Sequence, residues 1–328
     1  MNKHQVRQSC LLFLAAFIWG VAFVAQSNAM AYVEPFTFMA VRNYIGGFVL
    51  VIYLLILKGM GAPAREPAKE AYGRKTPKWM LKLGIDWYHL LGGMICGTFL
   101  CIAGNLQQIG IQYTSVGKTG FLTAVYIILV PILGIFLKKK AGIRVWLGVA
   151  IALAGLYLLC VTEKFTIVPA DFMLLGCALV FAMQILAVDF FIDRVDGVKL
   201  SCIQFFTCAV LSTIGMVIFE HPSIPAMLQA WLPILYAGVL SSGVAYTLQV
   251  VGQRDMNPTV ASMILSLESV FSALAGWVLL KQVLSTKELL GCGLVFVAII
   301  LAQLPGKPQK ESGKKMWCPP SALDGDKK

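Results

Sequence analysis

Two ionisable residues stand inside long apolar runs of the sequence. Glu268 lies within the run 258–280, and Arg42 lies within the run 35–57. A charged group is costly in apolar surroundings, so both residues are candidates for a functional site. Glu268 could bind a cation or carry a proton, or it could be a structural hydrogen-bond acceptor between helices. Arg42 could reach outward to solvent, pair with Glu268 or bind a carboxylate of a ligand.

Four further side chains with polar groups lie in apolar runs: Trp19, Gln107, Tyr126 and Gln249. Buried amides can orient a polar ligand or form gates, but they also join helices through hydrogen bonds worth only about 0.6 kcal/mol on average. Aromatic rings with one polar atom can line a cavity, and they also serve as plain packing. With Glu268 and Arg42, these four side chains are the predicted site residues.

No familiar catalytic or metal-binding motif accompanies these residues. The three histidines, His4, His89 and His221, are far apart in the sequence. The sequence contains no HExxH, GxSxG, Walker A or Gly-rich dinucleotide motif. The nine cysteines form no CxxC pair, so reduced, buried thiols are the default. We therefore expect no enzyme, with no catalytic residue, no cofactor and no metal.

The composition indicates which elements hold the candidates. Hydrophobic residues make up 58% of the 328 residues and charged residues 13%, against about 45–50% and about 25% in soluble domains. A helix that crosses a bilayer needs about 20 mostly apolar residues. Ten segments meet this description: 8–28, 35–57, 89–110, 119–137, 145–161, 168–191, 200–219, 231–251, 258–280 and 288–304. The predicted fold class is an all-α polytopic membrane protein with ten transmembrane helices.

The positions of the cations predict the orientation of these spans. Of the 27 Lys and Arg residues, 22 fall at the N-terminus, in the even-numbered loops and in the tail 305–328, and four fall in the odd-numbered loops. Because cytoplasmic loops are enriched in Lys and Arg, we expect both termini in the cytoplasm of a plasma (inner) membrane. Membrane orientation thus explains the net charge of +11 without nucleic acid as a partner. The basic tail is expected to be disordered.

The sequence also contains a faint internal repeat. A shift of 142 positions superposes residues 105–110 on the eighth span, and it relates Gln107 to Gln249 and Tyr126 to Glu268. A shift of 162 superposes the first two spans on the sixth and seventh. Each half contains five spans, an odd number, so the second half must be inverted relative to the first. We expect a site near the midplane between two five-helix repeats, which are residues 8–161 and 168–304.

Several short motifs follow one another in a fixed order along the spans. They are Trp19-Gly20, Pro35 with Arg42 seven residues later, residues 110–115 with 120–123, and the run from Gln249 through Pro258 to Glu268. Over about residues 8–304 the set resembles the EamA-type branch of the drug/metabolite transporter superfamily. The resemblance implies two inverted EamA repeats and secondary transport, with export, of small metabolites such as amino acids. A flippase or carrier of a lipid-linked metabolite, which small members of this superfamily resemble, is the alternative.

Inverted repeats around a midplane site are typical of alternating access. If transport is coupled to protons by a side chain, Glu268 is the carboxyl group that must carry the proton. The predicted partners are a small-molecule substrate and the lipid bilayer, with a homodimer as an open alternative.

The predicted orientation has a direct test. Reporters fused after Pro305 and next to Arg74 should both give a cytoplasmic signal, because both positions lie on the side that holds most of the cations. Paired alkaline phosphatase and green fluorescent protein fusions measure this. A fusion after Ala31, in the first odd-numbered loop, is the control and should give the opposite signal. A periplasmic or extracellular signal at position 305 or 74 would contradict the ten-span topology.

Overall fold

The computed structural model of the chain describes residues 3–61, 66–71, 73–114, 116–139, 141–160, 168–280 and 285–303. The helices of the first half are α1 Lys3–Ala29, α2 Pro35–Gly59, α3 Lys78–Lys82, α4 Trp87–Tyr113, α5 Val116–Ala124, α6 Tyr126–Phe136 and α7 Ile143–Cys160. Those of the second half are α8 Pro169–Ile192, α9 Gly197–Phe219, α10 Ile224–Gln229, α11 Trp231–Tyr236, α12 Thr247–Gly252, α13 Pro258–Leu265, α14 Leu267–Leu280 and α15 Thr286–Gln303. A ten-residue π-helix, Ala237–Tyr246, joins α11 to α12 and is called the π segment below.

Nine helices in the described ranges are long and apolar enough to cross a membrane. The fifth predicted span falls on α7, whose apolar part, Ile143–Leu159, is shorter than the other nine. This helix packs against α15, the last predicted span. The all-α polytopic fold is therefore confirmed. The predicted tail 305–328 lies outside the described residues.

Proline and side-chain caps define several helix starts where the sequence predicts them. Pro35 and Pro258 begin α2 and α13, and proline suits a first turn because the N–H group it lacks has no partner inside the helix there. The Asn257 side chain accepts a hydrogen bond from the N–H of Thr259 at 2.9 Å, which satisfies one of the free donors of the first turn. The sequence thus fixes these boundaries locally.

The packing of the helices follows the symmetry expected of an inverted repeat. The inverted repeat matches each helix of the first half with a counterpart in the second half. The contacts of α2 with α9 and of α7 with α15 join such counterparts. The contact of α4 with α8 corresponds to that of the π segment and α12 with α1. Likewise, α1 packs on α13 and α14, and α8 packs on α5 and α6. The two halves therefore interlock across a pseudo-two-fold axis.

The fourth and ninth predicted spans are broken rather than continuous. The first breaks at Val125, between α5 and α6, and the second at Ser266, between α13 and α14. The N–H group three residues after each break donates to the carbonyl of the break residue, at 3.0 and 3.2 Å, so each break is a single tight turn. Tyr126 and Glu268 follow directly. Discontinuous helices at a repeat interface mark the binding region of many transporters.

The loop between α2 and α4 has structure that the sequence did not predict. A two-stranded antiparallel hairpin, β1 Glu70–Ala71 and β2 Arg74–Lys75, precedes α3. Asp86 fastens this loop to the start of α4, because its carboxylate accepts from the N–H groups of Ala68 at 2.6 Å and His89 at 3.0 Å. Burial acts to raise the pKa of Asp86, but the hydrogen bonds from Ala68 and His89 outweigh it and hold the pKa below its usual range.

The contact between α7 and α15 gives a prediction about packing. A Cβ atom added at Gly291 would lie 2.6 Å from the backbone oxygen of Gly155, whereas one at Gly293 would meet nothing within 4 Å. Gly291→Ala must push the two helices apart, and overpacking of this kind typically costs about 1–3 kcal/mol. We expect a lower melting temperature in detergent by fluorescence-detected unfolding. Gly293→Ala is the matched control, and equal melting temperatures for both variants would contradict the close contact.

Candidate functional site

A narrow cavity of about 30 Å³ lies between the two halves of the chain. Small-molecule sites typically measure about 300–1,000 Å³, so the cavity has to widen before it receives a ligand. The cavity is lined by all six residues that the sequence analysis selected: Trp19, Arg42, Gln107, Tyr126, Gln249 and Glu268. Phe23, Gln26, Phe181, Ile185, Ser241 and Tyr246 are further lining residues. Side chains separated by more than 200 positions in the sequence therefore meet in one space.

The lining follows the two shifts found in the sequence. Two pairs of lining residues are related by 162 positions, and two pairs are related by 142. They are Trp19 with Phe181, Phe23 with Ile185, Gln107 with Gln249, and Tyr126 with Glu268. The cavity is thus built from equivalent positions of both halves, and it surrounds the pseudo-two-fold axis.

Glu268 is 6% exposed, and its nearest polar partner comes from the opposite half. The Tyr126 hydroxyl donates a hydrogen bond to Oε1 of Glu268 at 3.3 Å. Helix α1 approaches the same point closely, because a Cβ atom at Gly20 would lie 2.8 Å from the backbone oxygen of Glu268. The two broken spans and α1 thus hold the carboxyl group at the centre of the bundle.

Arg42 is 4% exposed and is held by the π segment. Its Nε donates to Oγ of Ser242 at 3.2 Å, and its Nη2 donates to Oγ of Ser241 at 3.0 Å. The guanidinium also lies over the ring of Phe38, 5.6 Å from the centroid. One turn further along α2, a Cβ atom at Gly46 would be 2.7 Å from Cβ of Ser242. Glycine at that position lets α2 approach the π segment closely enough for these hydrogen bonds.

The ion pair between Arg42 and Glu268, one of the alternatives drawn from the sequence, does not form in this structure. None of the ion pairs within 4.0 Å among the described residues joins these two side chains. Among the residues that the structure describes, each has only neutral hydrogen-bond partners. The cavity therefore contains a cation and a carboxyl group that do not neutralise each other by direct contact.

The two predicted amides, Gln107 and Gln249, join helices. Gln107 Nε2 donates to Oγ1 of Thr123 at 3.3 Å, and Gln249 Nε2 donates to Oε1 of Gln184 at 3.1 Å. The Oε1 atoms of Gln249 and of Gln26 are buried without a hydrogen-bond partner among the described residues. Buried carbonyl oxygens normally have a partner, so these two atoms are free to accept hydrogen bonds from a ligand.

Trp19 packs at the border between α1 and the π segment. Its Nε1 donates to the backbone oxygen of Ser241 at 3.3 Å, and its ring lies 4.5 Å from the ring of Tyr246, centroid to centroid. A π-helix leaves some carbonyl groups outside the regular helical pattern, and such segments often occur at functional sites. The indole thus both packs and supports the backbone that positions the serines.

The sequence analysis missed Ser241, Ser242, Tyr246 and Gln26. A signal for the two serines existed, because they lie ten and eleven residues after the start of the eighth predicted span, roughly 15 Å deep at 1.5 Å per residue. The long side chain of Arg42, seven residues into its own span, reaches a similar depth. No pattern in the sequence indicated the π segment, which brings both hydroxyls to the guanidinium.

Polar contacts between the halves close the bundle at the end where α1 finishes, called the outer end here. Glu220, 8% exposed, accepts from the N–H groups of Phe36 and Thr37, each at 2.7 Å, and from the Thr37 hydroxyl. An ion pair of 2.7 Å joins Lys118 to Asp171. These contacts fix the starts of α2 and α5 to the second half.

Different contacts close the opposite, inner end. Lys139 and Asp189 form an ion pair of 2.6 Å between α8 and the residues after α6. The N–H of Asp196 donates to Nε2 of His89 at 3.1 Å, and the remaining ring nitrogen of His89 lies 2.9 Å from Oδ1 of Asp86. His89 therefore joins the start of α4 to the start of α9.

The comparisons with known proteins agree with this architecture. A model of the EamA-like transporter family matches residues 7–161 and again residues 168–304. The chain belongs to the EamA-like transporter family. It is a multi-pass membrane transporter that contains the EamA domain twice.

Relatives align with nearly the whole chain. An uncharacterized transporter of Archaeoglobus fulgidus is 27% identical over 294 residues, which are 89% of this chain and 84% of that protein. The uncharacterized inner membrane transporter YedA of Escherichia coli is 23% identical over 310 residues, 90% of this chain and 92% of that protein. A crystal structure with 19% identity matches with a TM-score of 0.72 over 90% of this chain and 96% of its own, so the fold is shared.

The outer contact at Glu220 gives a prediction about access to the cavity. In a background without the nine native cysteines, single cysteines are placed at Gln107 and Gln249 and labelled with an impermeant maleimide. Glu220→Ala should raise the labelling rate of the cysteine at position 107 from outside by about tenfold or more, because hydrogen bonds to a charged group are worth about 1.5–3 kcal/mol each. Glu288→Ala, which removes an exposed carboxylate whose described hydrogen bonds go to Ser285, is the control. Unchanged labelling at both positions would show that Glu220 does not restrict access.

Proposed function

We propose that this chain is a secondary transporter that exports small metabolites such as amino acids across the plasma (inner) membrane. It works by alternating access, with both termini in the cytoplasm and with coupling to protons. Residues 8–161 and 168–304 are the two repeats that move relative to each other. Binding and translocation, rather than catalysis, are the role of the six cavity residues. The active unit is one chain or a homodimer of it, and the cavity lies within a single chain.

The observation that carries the proposal is the cavity between the two repeats. It is lined by equivalent positions of both halves, and polar contacts restrict it at both ends of the bundle. In an inverted-repeat transporter the two halves exchange conformations around a fixed site. The contacts at Glu220 and at Lys139 then have to break in turn, one set for each side of the membrane.

The environment of Glu268 supports its role in proton coupling. A carboxyl group that carries a proton across a membrane has to lose and regain that proton during each cycle. A direct ion pair would hold Glu268 in its charged form, but its described partner is the neutral hydroxyl of Tyr126. Burial favours the protonated form, and opening of the cavity to water favours the charged one. The two access states therefore provide different proton affinities.

The position of the cavity favours a small solute over a lipid-linked metabolite. It lies between the two halves and is lined by side chains of both, whereas a lipid-linked carrier must also pass a hydrocarbon tail beside the protein. In cells that overexpress the chain, the extracellular metabolite profile should therefore change in its small polar solutes. A change confined to lipid-linked compounds would favour the carrier alternative.

Substitution of Glu268 tests the coupling. In proteoliposomes with an imposed pH gradient, Glu268→Gln should abolish pH-driven accumulation of amino acids while sparing their exchange, because the amide mimics a carboxyl group that cannot release its proton. Uptake and counterflow of a radiolabelled amino-acid mixture measure the two activities. Glu70→Gln, an exposed carboxylate in the hairpin after α2, is the control and should leave both unchanged. Accumulation at the wild-type level by a well-folded Glu268→Gln protein would exclude coupling through this residue.

A further inference from the structure

The free edge of the Arg42 guanidinium indicates which chemical group the cavity receives. The hydrogen bonds to Ser241 and Ser242 use Nε and Nη2, which share one edge of the planar group. The other fork consists of Nη1 and the second N–H of Nη2. Within the part of the chain that the structure describes, Nη1 has no hydrogen-bond partner. This fork has the geometry that binds a carboxylate through two parallel hydrogen bonds.

The serine hydroxyls hold the other edge of the guanidinium. Because arginine can only donate, both hydroxyls act as acceptors toward it. They lie beside Nε and Nη2, too far from the free fork to bind a carboxylate there, so their role is to position the guanidinium. The fork is therefore a pair of donors without an acceptor among the described residues. A buried cation with free donors favours an anion as its ligand.

The other polar residues of the cavity supply hydrogen-bond acceptors instead of donors. The Oε1 atoms of Gln26 and Gln249 are buried acceptors without a described partner, and the two side chains are 5% and 2% exposed. Glu268 adds a carboxyl group to the same lining. These groups accept hydrogen bonds or attract a positive charge, and they lie on α1, α12 and α14 rather than on α2. They suit a donor group such as an ammonium.

The placement of donors at one end of the cavity and acceptors at the other departs from the symmetry of the internal repeat. The counterpart of Arg42 under the shift of 162 is Gln204, and the counterpart of Glu268 under the shift of 142 is Tyr126. Each charged residue thus has a neutral equivalent in the other half. The helices pack in equivalent pairs around the cavity, but the charges are not equivalent, so a ligand meets a donor end and an acceptor end.

We propose that the cavity binds a small solute by its carboxylate, on the free fork of Arg42, while the hydroxyls of Ser241 and Ser242 hold the other edge of the guanidinium in place. A hydrogen-bond donor at the other end of the solute, such as an ammonium, faces Glu268 and the amide oxygens of Gln26 and Gln249. This inference rests on the proposed transport function and adds to it the anion subsite and the direction in which the solute lies. It predicts that a free carboxylate is required and that cationic amines are excluded.

Equilibrium dialysis of the purified full chain tests the subsite. The probe is an equimolar pool of the twenty proteinogenic amino acids, their carboxamides and their decarboxylated amines, quantified by mass spectrometry. We expect the wild type to enrich at least one amino acid about tenfold or more over its carboxamide and amine, because these lack the second carboxylate oxygen and its charge. Equal enrichment of acid and carboxamide, or no enrichment of any acid, would overturn the proposal.

Variants separate the contributions of the fork and the hydroxyls. Arg42→Gln should remove the preference for the acid, and Arg42→Lys should retain only part of it, because lysine keeps the charge but lacks the fork. The double variant Ser241→Ala with Ser242→Ala should reduce it severalfold. Ser201→Ala, a fully buried serine whose hydroxyl has no described partner, is the matched control. If Arg42→Gln does not fold, the serine variants and the wild-type ratio of acid to carboxamide decide the question.

Counterflow of the same pool in proteoliposomes distinguishes the two proposals. Binding of acids through Arg42 without any counterflow would overturn the transport function and leave the subsite in place. Counterflow of amines or carboxamides at the rate of the acids would overturn the subsite and leave transport in place. Acid-selective counterflow whose selectivity falls severalfold in the double serine variant supports both.

Discussion

A guanidinium group inside a membrane protein needs partners, because a charge near the centre of a transmembrane helix costs about 2.5–3.5 kcal/mol even on the lowest scales. Much of this bundle is arranged around that requirement at Arg42. The π segment supplies two hydroxyls, and Gly46 lets α2 approach close enough to reach them. Trp19 in turn supports the backbone of Ser241. The contact between the first repeat and the eighth span thus follows from one buried cation.

The two repeats share a backbone plan but not a set of charges. Both broken spans have their break next to the pair Tyr126 and Glu268, and the amides Gln107 and Gln249 occupy equivalent places. A symmetric plan lets the halves exchange conformations at similar free energy, as alternating access requires. The asymmetric placement of Arg42 and Glu268 gives the cavity a direction. Symmetry therefore suits the proposed motion, and its local loss suits the proposed recognition of a solute.

The contacts that close the ends of the bundle differ in kind from the packing contacts along the helices. Along the spans, glycines such as Gly155 and Gly291 allow dense packing of backbone against backbone, which is the main source of helix association in a membrane. At the ends, carboxylates such as Glu220 and Asp189 bind groups of the opposite repeat. Water can replace these polar partners when an end opens. Contacts of this kind suit a gate, whereas the packed seams suit the rigid parts of each half.

The sequence by itself determined the spans, the ends marked by Pro35 and Pro258, the two-repeat plan and the six cavity residues. Hydropathy, turn residues and the cost of buried polar groups are local properties, so they can be read without knowing which helices touch. The tertiary structure decided that Arg42 binds Ser241 and Ser242 and not Glu268. It also decided the π segment and the breaks at Val125 and Ser266. Helices that are apolar all round carry little signal for their rotation, and contacts between residues 200 positions apart depend on that rotation.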